Sequence, residues 1–187
     1  MIVEQVVDKN RIITGEEVAA MGDIGPYELV EGRIVPMSPT GSEHGSYESN
    51  FHYVLRSFVQ SHKLGKVQVG EVGIYTHRDP DTVRGADVLF ISNERYAQQK
   101  SSGFLKIAPD LVVEILSPHD RWSEVMEKLR EYFAIGVRLV WVADPQSRSV
   151  YAYRTLTEVR EFGENDNLPG DDVLPGFLVK VAELFED

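Results

Sequence analysis

The chain of 187 residues contains no cysteine. This absence excludes a disulfide framework, thiolate catalysis and cysteine-ligated zinc. Long apolar runs are missing too, since no stretch approaches the roughly 20 residues that a membrane-spanning helix needs. Nothing near the N-terminus joins a basic segment to an apolar one, as a secretory signal does. From these absences we expect a cytoplasmic protein that does not enter the membrane.

Positive charge is also scarce. The chain has 30 acidic against 19 basic residues and a formal net charge of -11. A protein of this charge repels nucleic acid at long range. A nucleic-acid function therefore needs a local cationic groove or a metal ion, whereas an acidic surface that binds a protein partner needs neither.

What is present is ordinary for a globular protein. The hydrophobic content is 42%, and the length suits one α/β domain over residues 1–187. The periodicity predicts strands in YELVEGRIVPMS (a hairpin), KVQVGEVGIYT, ADVLFIS, LVVEIL, VRLVWVAD and the edge hairpin of SVYAYR with EVREF. It predicts helices over 15–21, 42–63, 94–99 and 122–135 and in the closing LVKVAELFE, with both tryptophans in the core. These elements favour one mixed sheet flanked by helices.

Two of the predicted strands carry a carboxylate. Glu114 interrupts LVVEIL and Asp87 opens DVLFI. An ionised acid in an apolar strand is costly unless it is paired, protonated or bound to a metal. If the two strands are neighbours, the acids share one end of the sheet and repel each other unless a cation lies between them. Mg²⁺ or Mn²⁺ fits such oxygen ligands better than zinc does.

Lys128 follows Glu114 in the next predicted helix. The chain covers about 10 Å from Glu114 to the end of its strand, at roughly 3.3 Å per residue. It returns about 9 Å from the start of the helix to Lys128, at 1.5 Å per residue. If the helix packs antiparallel to the strand, the ammonium comes level with the carboxylate. Asp, Glu and Lys around a metal are the groups needed to hydrolyse a phosphodiester.

Several ordered segments carry a resemblance to a known family. They are YELVEGRIVPMSP, the His44 after it, RGADVLFIS, PDLVVEILSPHDR, EKLREYFAIGV and LVWVADP. In this order they resemble the bacterial family of putative restriction endonucleases, which belongs to the PD-(D/E)XK phosphodiesterase superfamily, over about residues 26–178. The resemblance implies a restriction-endonuclease-like α/β core, with a central mixed sheet flanked by helices, and an acidic Mg²⁺ site that acts on DNA.

The resemblance also implies roles for individual residues. Asp87 matches the aspartate of the PD half-motif, and Glu114 matches the (D/E) position. The backbone carbonyl after that position, here of Ile115, also faces the metal in the superfamily. His44 matches a family position that would contact a water on the metal or a phosphate, and Glu28 matches a further acidic position in the hairpin.

The chain departs from the superfamily motif at two positions. Ala86 replaces the usual proline, which supplies no chemical group. Leu116 occupies the usual lysine position. In the family that the chain resembles, the lysine stands on the following helix, where this chain has Lys128.

Each residue of the predicted site also has a plain structural alternative. They are an exposed edge position or a pair with Arg121 for Glu114, a turn after Gly85 for Asp87, and a surface ion pair with Glu124 for Lys128.

Our interpretation is a Mg²⁺-dependent endonuclease that cleaves DNA through Asp87, Glu114 and Lys128. A different class of function, an inactive nuclease fold that binds a protein partner through its acidic surface, stays open. So does nuclease action only within a larger assembly that supplies DNA recognition. A double-strand cut would favour a homodimer, for which the hairpin at residues 149–162 is a candidate interface.

Overall fold

The computed structural model describes residues 11–100, 102–118 and 120–186. The helices are α1 (Gly15–Ala20), α2 (Ser42–His62), α3 (Asn93–Tyr96), α4 (Trp122–Ile135) and α5 (Val181–Leu184). The strands are β1 (Tyr27–Val30), β2 (Arg33–Pro36), β3 (Gly65–His77), β4 (Thr82–Ser92), β5 (Leu111–Ile115), β6 (Leu139–Asp144), β7 (Ser149–Tyr153), β8 (Val159–Phe162), β9 (Asn167–Pro169) and β10 (Leu178–Lys180). The prediction of one domain over 1–187 stays a prediction, since residues 1–10, 101, 119 and 187 lie outside the described ranges.

Local sequence signals set several of these boundaries. Thr14 caps α1 through a capping box, in which its side chain accepts from the N–H of Glu17 and the Glu17 side chain accepts from the N–H of Thr14. Helix α4 ends at Gly136, whose φ of +98° is the left-handed conformation that glycine adopts readily. Both boundaries agree with the sequence-based prediction.

An eight-stranded mixed sheet forms the centre of the structure. Its order is β2-β1-β4-β5-β6-β7-β8, and β3 pairs with β4 outside this path. Strands β5 and β6 are parallel, whereas the other pairs are antiparallel. The α/β class and the central mixed sheet flanked by helices are therefore confirmed.

Strand β4 has an incomplete flank, and this gap positions the candidate site. Strand β3 pairs along one side of β4. On the other side, β1 contributes the single pair Leu29–Val83, and β5 pairs only from Val88 onward. Between Val83 and Val88, β4 thus has no strand neighbour on this side among the described residues. We call this gap between β1 and β5 the split.

The sheet is covered on both faces. Phe51, Leu55 and Val59 of α2 pack on one face, in the cluster that contains the fully buried Trp141. Helix α4 packs on the other face, together with Val112 and Val140. The prediction for Trp141 is confirmed, but that for Trp122 is wrong, because its residue is 54% exposed and burial along α4 begins one turn later.

Two other boundaries differ from the prediction. Residues 178–180, predicted as helix, form β10 and pair with β9, because Val179 is buried opposite Leu168. Residues 82–85, predicted as part of a turn-rich segment, begin β4, because pairing with β3 extends through them. In both places tertiary pairing outweighs the local pattern. Within the described ranges, no helix combines the length and the apolar character that crossing a membrane requires.

Candidate active site

Asp87 and Glu114 lie side by side in the sheet. Strands β4 and β5 pair in antiparallel register from Val88–Val113 onward, so Asp87 and Glu114 are the first residues beyond the paired segment, one on each strand. The two residues are only 6% and 8% exposed. The charge of Asp87 contributes to the raised pKa of Glu114. The two acids were expected on neighbouring strands, and they lie next to each other where the pairing of β4 with β5 stops.

Both oxygens of Glu114 have partners on α4. Its Oε2 lies 3.0 Å from Nζ of Lys128, and its Oε1 accepts a 2.7 Å hydrogen bond from the hydroxyl of Tyr132. Burial raises the pKa of Glu114 to about 7, against the opposing charge of Lys128. Glu114 is thus neither an exposed edge residue nor a partner of Arg121, and that structural alternative is wrong.

Lys128 reaches into the split. Besides Glu114, its Nζ contacts Oε1 of Glu28 at 3.0 Å and donates to the carbonyl of Gly85 at 3.3 Å. Burial would lower the pKa of Lys128, but the charges of Glu114 and Glu28 outweigh it and raise the pKa. The side chain is therefore a charged donor at neutral pH, and not a surface partner of Glu124.

Glu28 of β1 fills the rest of the split. Its Oε1 accepts a 3.1 Å hydrogen bond from the backbone N–H of Gly85, and its Oε2 accepts one of 3.0 Å from Arg84. Arg84 also donates to Glu131, through Nε at 2.8 Å and through Nη2. Each Glu28 oxygen is thus already paired with a cation, so Glu28 positions the side chains of Lys128 and Arg84.

Asp87 faces the opposite side of the site. Its Oδ2 accepts a 2.6 Å hydrogen bond from the backbone N–H of Ile115, and its Oδ1 lies 3.4 Å from Nε2 of His44. The hydrogen bond with Asp87 raises the pKa of His44. Nδ1 of His44 is buried and has no partner among the described residues. Asp87 lies within β4, so the alternative of a turn residue is wrong.

Two acids that the sequence-based prediction missed complete the site. Burial and the charge of Asp87 raise the pKa of Glu71 to about 7 and also raise the pKa of Glu48. Glu71 follows Gly70 at an irregularity of β3, where both residues have positive φ. The acid flanked by glycines in VGEVG was the available signal, because glycines inside a strand often mark a bulge.

The site has an excess of carboxylates that suits a divalent cation. Glu48 and Glu71 form no salt bridge with any described residue, and Oε1 of Glu48 is buried without a partner there. Within 11–100, 102–118 and 120–186, no group of three or more His, Cys, Asp or Glu residues is arranged to hold a metal ion. Mg²⁺ needs no such group, because it usually keeps several waters and takes one or two carboxylates. The assignment of Asp87 and Glu114 as its ligands stays a prediction.

Comparisons with known proteins agree with this architecture. A crystal structure described as a putative nuclease belonging to DUF820 from Anabaena variabilis superimposes with a TM-score of 0.78, at 23% identity. The match covers 92% of this chain and 97% of that one, so the two share a fold. No curated protein matches the chain significantly. A model of the Uma2 family, described as putative restriction endonuclease, matches residues 16–182. Since this match spans most of the sequence and confirms the resemblance found there, the chain belongs to the Uma2 family of putative restriction endonucleases.

Proposed function

We propose that the protein is a nuclease of the PD-(D/E)XK type, a Mg²⁺- or Mn²⁺-dependent endonuclease that hydrolyses phosphodiester bonds of DNA. The observation that carries the proposal is the convergence of Asp87, Glu114 and Lys128. Lys128 lies 3.0 Å from Glu114, and Asp87 lies on the neighbouring strand, close enough for its charge to act on Glu114. Membership of the family supports the same reaction class.

In this proposal Asp87 and Glu114 hold the metal, with the backbone carbonyl of Ile115 as a further oxygen ligand. A bound Mg²⁺ or Mn²⁺ supplies Lewis-acid polarisation of the phosphate and a lower pKa for a water.

The remaining side chains act on the substrate directly. Lys128 keeps its proton, because Glu114 and Glu28 raise its pKa. It therefore acts as a fixed positive charge that stabilises negative charge on the phosphate, and not as a base. His44 lies 3.4 Å from Asp87 through Nε2, and it is our proposed contact for a metal-bound water or a substrate phosphate.

Cleavage assays on supercoiled plasmid, linear duplex and single-stranded DNA with Mg²⁺ or Mn²⁺ test the proposal. We expect cleavage by the wild type and a loss of about 10²-fold or more in Asp87→Asn and Lys128→Met, the scale seen when a preorganised electrostatic group is removed. Arg130→Met, at an exposed position of the same helix, is the matched control and should cut like the wild type. Intact substrates with the wild type, or full activity in Lys128→Met, would refute the proposal.

Calorimetric titration with Mn²⁺ tests the metal site separately from activity. We expect binding heat in the wild type and its loss in Asp87→Asn. No heat in the wild type would favour the other class of function, an inactive fold whose acidic surface binds a protein partner.

Double-strand cleavage would further require two sites, in a homodimer or a larger assembly. Strand β8 ends the sheet order, and Val159 on it is 43% exposed. The hairpin at residues 149–162 is therefore our proposed contact between two copies. A monomer by sedimentation that nicks plasmid without linearising it would contradict the homodimer.

A further inference from the structure

A basic groove lies between the C-terminal half of α2 and the start of β3. Its cavity measures about 540 Å³. Its charged lining residues are Arg56, Lys63 and Lys66, and the amides of Gln60, Gln68 and Asn93 also line it. Among the described residues no acid lines this cavity, although the chain as a whole carries a charge of -11. The groove is thus a locally basic surface on an acidic protein.

The three cations of the groove are not neutralised by neighbours. Within the described ranges, none of Arg56, Lys63 and Lys66 forms a salt bridge. The Nζ of Lys66 lies 3.9 Å from the ring centre of Tyr96, a residue beside the cavity and outside its lining; this contact does not neutralise the charge. Other cations of the chain, such as Arg148 and Arg160, pair with acids at 2.7 Å. Unpaired cations that converge on one cavity favour an anionic ligand.

The walls of the groove are held by the fold. Lys63 ends α2 in a left-handed conformation with a φ of +54°. The side chain of Asn93 donates a 2.7 Å hydrogen bond to the carbonyl of Lys63, and its backbone N–H donates to the carbonyl of Leu64. The end of α2 is therefore tied to the start of α3, which fixes the groove without a ligand.

The groove lies along two elements that also build the candidate active site, α2 and β3. In β3, Gln68 and Lys66 pair with Leu89 and Ile91, two and four residues beyond Asp87 along β4. At roughly 3.3 Å per residue these pairs lie about 7 and 13 Å from Asp87.

Helix α2 also extends from the candidate site towards the groove. Arg56 lies two helical steps of four residues beyond Glu48, or about 12 Å at 1.5 Å per residue. His52 lies between them on the helix. Burial lowers the pKa of His52, and the charge of Arg56 lowers it further. Along α2 the chain thus passes from the acidic site to the basic groove within about 12 Å.

We propose that this groove binds the phosphodiester backbone of the nucleic-acid substrate, on one side of the phosphate that is cut. The inference rests on the proposed nuclease function and adds to it the surface that holds the substrate. Phosphates follow one another at about 3.4 Å of axial rise per strand, so a span of 7 to 13 Å corresponds to about two to four nucleotides from the cut. The groove also supplies the cationic surface that so acidic a protein needs.

Binding of a fluorescently labelled 20-nucleotide single strand and the matching duplex, in EDTA and at low salt, tests the inference without cleavage. The variant combines Arg56→Gln, Lys63→Gln and Lys66→Gln. We expect its affinity to fall about tenfold or more. The slope of log affinity against log salt should decrease by about two to three, since each phosphate contact contributes roughly 0.7 to 0.9.

The matched control combines Lys100→Gln, Arg130→Gln and Lys180→Gln, which remove three exposed charges outside the groove. Its net charge equals that of the groove variant, and we expect its affinity to match the wild type. Equal losses in both variants, no loss in the groove variant, or no binding by the wild type would each overturn the inference.

The outcome is distinguishable from failure of the nuclease proposal. Calorimetric Mn²⁺ binding should be unchanged in the groove variant, because none of its three residues lies at Asp87 or Glu114. Oligonucleotide binding that depends on the groove, in a protein that cuts no substrate, would reject the nuclease and keep the groove. Metal-dependent cleavage by a protein whose oligonucleotide binding does not depend on the groove would keep the nuclease and reject the groove.

Discussion

The hydroxyl of Tyr132 donates a 2.7 Å hydrogen bond to Oε1 of Glu114, inside the core cluster beneath α4. Because Lys128 takes the other oxygen, the carboxylate is fixed in one orientation from both ends. Tyr132 itself is fully buried, and burial together with the charge of Glu114 raises its pKa well above the usual value. The phenol is therefore a neutral donor at neutral pH.

Tyr132→Phe should destabilise the protein by about 1–3 kcal/mol, because it leaves a buried carboxylate oxygen without its donor. The pKa of Glu114 should rise further, since the hydrogen bond from Tyr132 lowers it. Urea unfolding at pH 7 measures the loss. Tyr153→Phe is the control, because Tyr153 is buried in the same cluster with no hydrogen bond from its hydroxyl to a described residue. Equal stability of the two variants would contradict the assigned bond.

Arg84→Met should cost about 3–5 kcal/mol, because it leaves Glu28 and Glu131 without their shared cation in a buried setting. We also expect weaker positioning of Lys128, which Glu28 holds from the other side. Arg154→Met provides the comparison. Its side chain is 30% exposed and pairs with acids at the surface, so the loss should stay within about 1 kcal/mol. Thermal unfolding measures the loss of stability in both variants. Similar losses in Arg84→Met and Arg154→Met would argue against the buried network.

The metal-free protein should lose stability as the pH rises from about 4.5 to 7. Glu71 and Glu114 have an ordinary pKa of 4.5 and a folded pKa of about 7. An acid with a raised folded pKa binds protons more tightly in the folded state, so its contribution is complete below pH 4.5 and is lost as the pH passes 7. Glu71→Gln should flatten this part of the profile. Unfolding free energies measured in EDTA across the range test the sign, and a rise towards pH 7 would contradict it.

Gly65→Ala should destabilise the start of β3 by about 1–3 kcal/mol. A Cβ at this position would lie 2.0 Å from the carbonyl oxygen of Ile91, which is backbone and cannot rotate away. The same substitution at Gly45 meets nothing within 4 Å and sits inside α2. Gly45→Ala should therefore stabilise the protein by up to about 1 kcal/mol, through helix propensity. Unfolding midpoints that shift in the same direction for both variants would count against this account.

The main architecture could be predicted because strand and helix periodicity agree with the tertiary structure for most elements. The apolar run around Glu114 and the stripe of α4 are strong local patterns. The spacing from Glu114 to Lys128 was enough to place them level, as the 3.0 Å contact shows. Whether Asp87, Glu114 and Lys128 perform catalysis stays a prediction that the cleavage assays address.

The rest depends on contacts between distant segments, which a local pattern does not contain. Glu71 enters the site only because an irregularity of β3 turns its side chain towards Asp87. The sequence places Arg84 in a turn-rich segment, but in the structure it lies in β4 and binds acids from β1 and α4. The groove residues Arg56 and Lys66 are separated by a helix end and a turn, so only the fold shows that they line one cavity.

The split between β1 and β5 gives the site an internal spectroscopic reporter. Where a neighbouring strand would offer carbonyl oxygens, the N–H of Gly85 donates to Glu28 and the N–H of Ile115 donates to Asp87. The chemical shifts of these two amide protons therefore respond directly to the charge on a carboxylate. In an NMR titration, Gly85 and Ile115 would follow protonation or cation binding from the peptide backbone, without any label in the site.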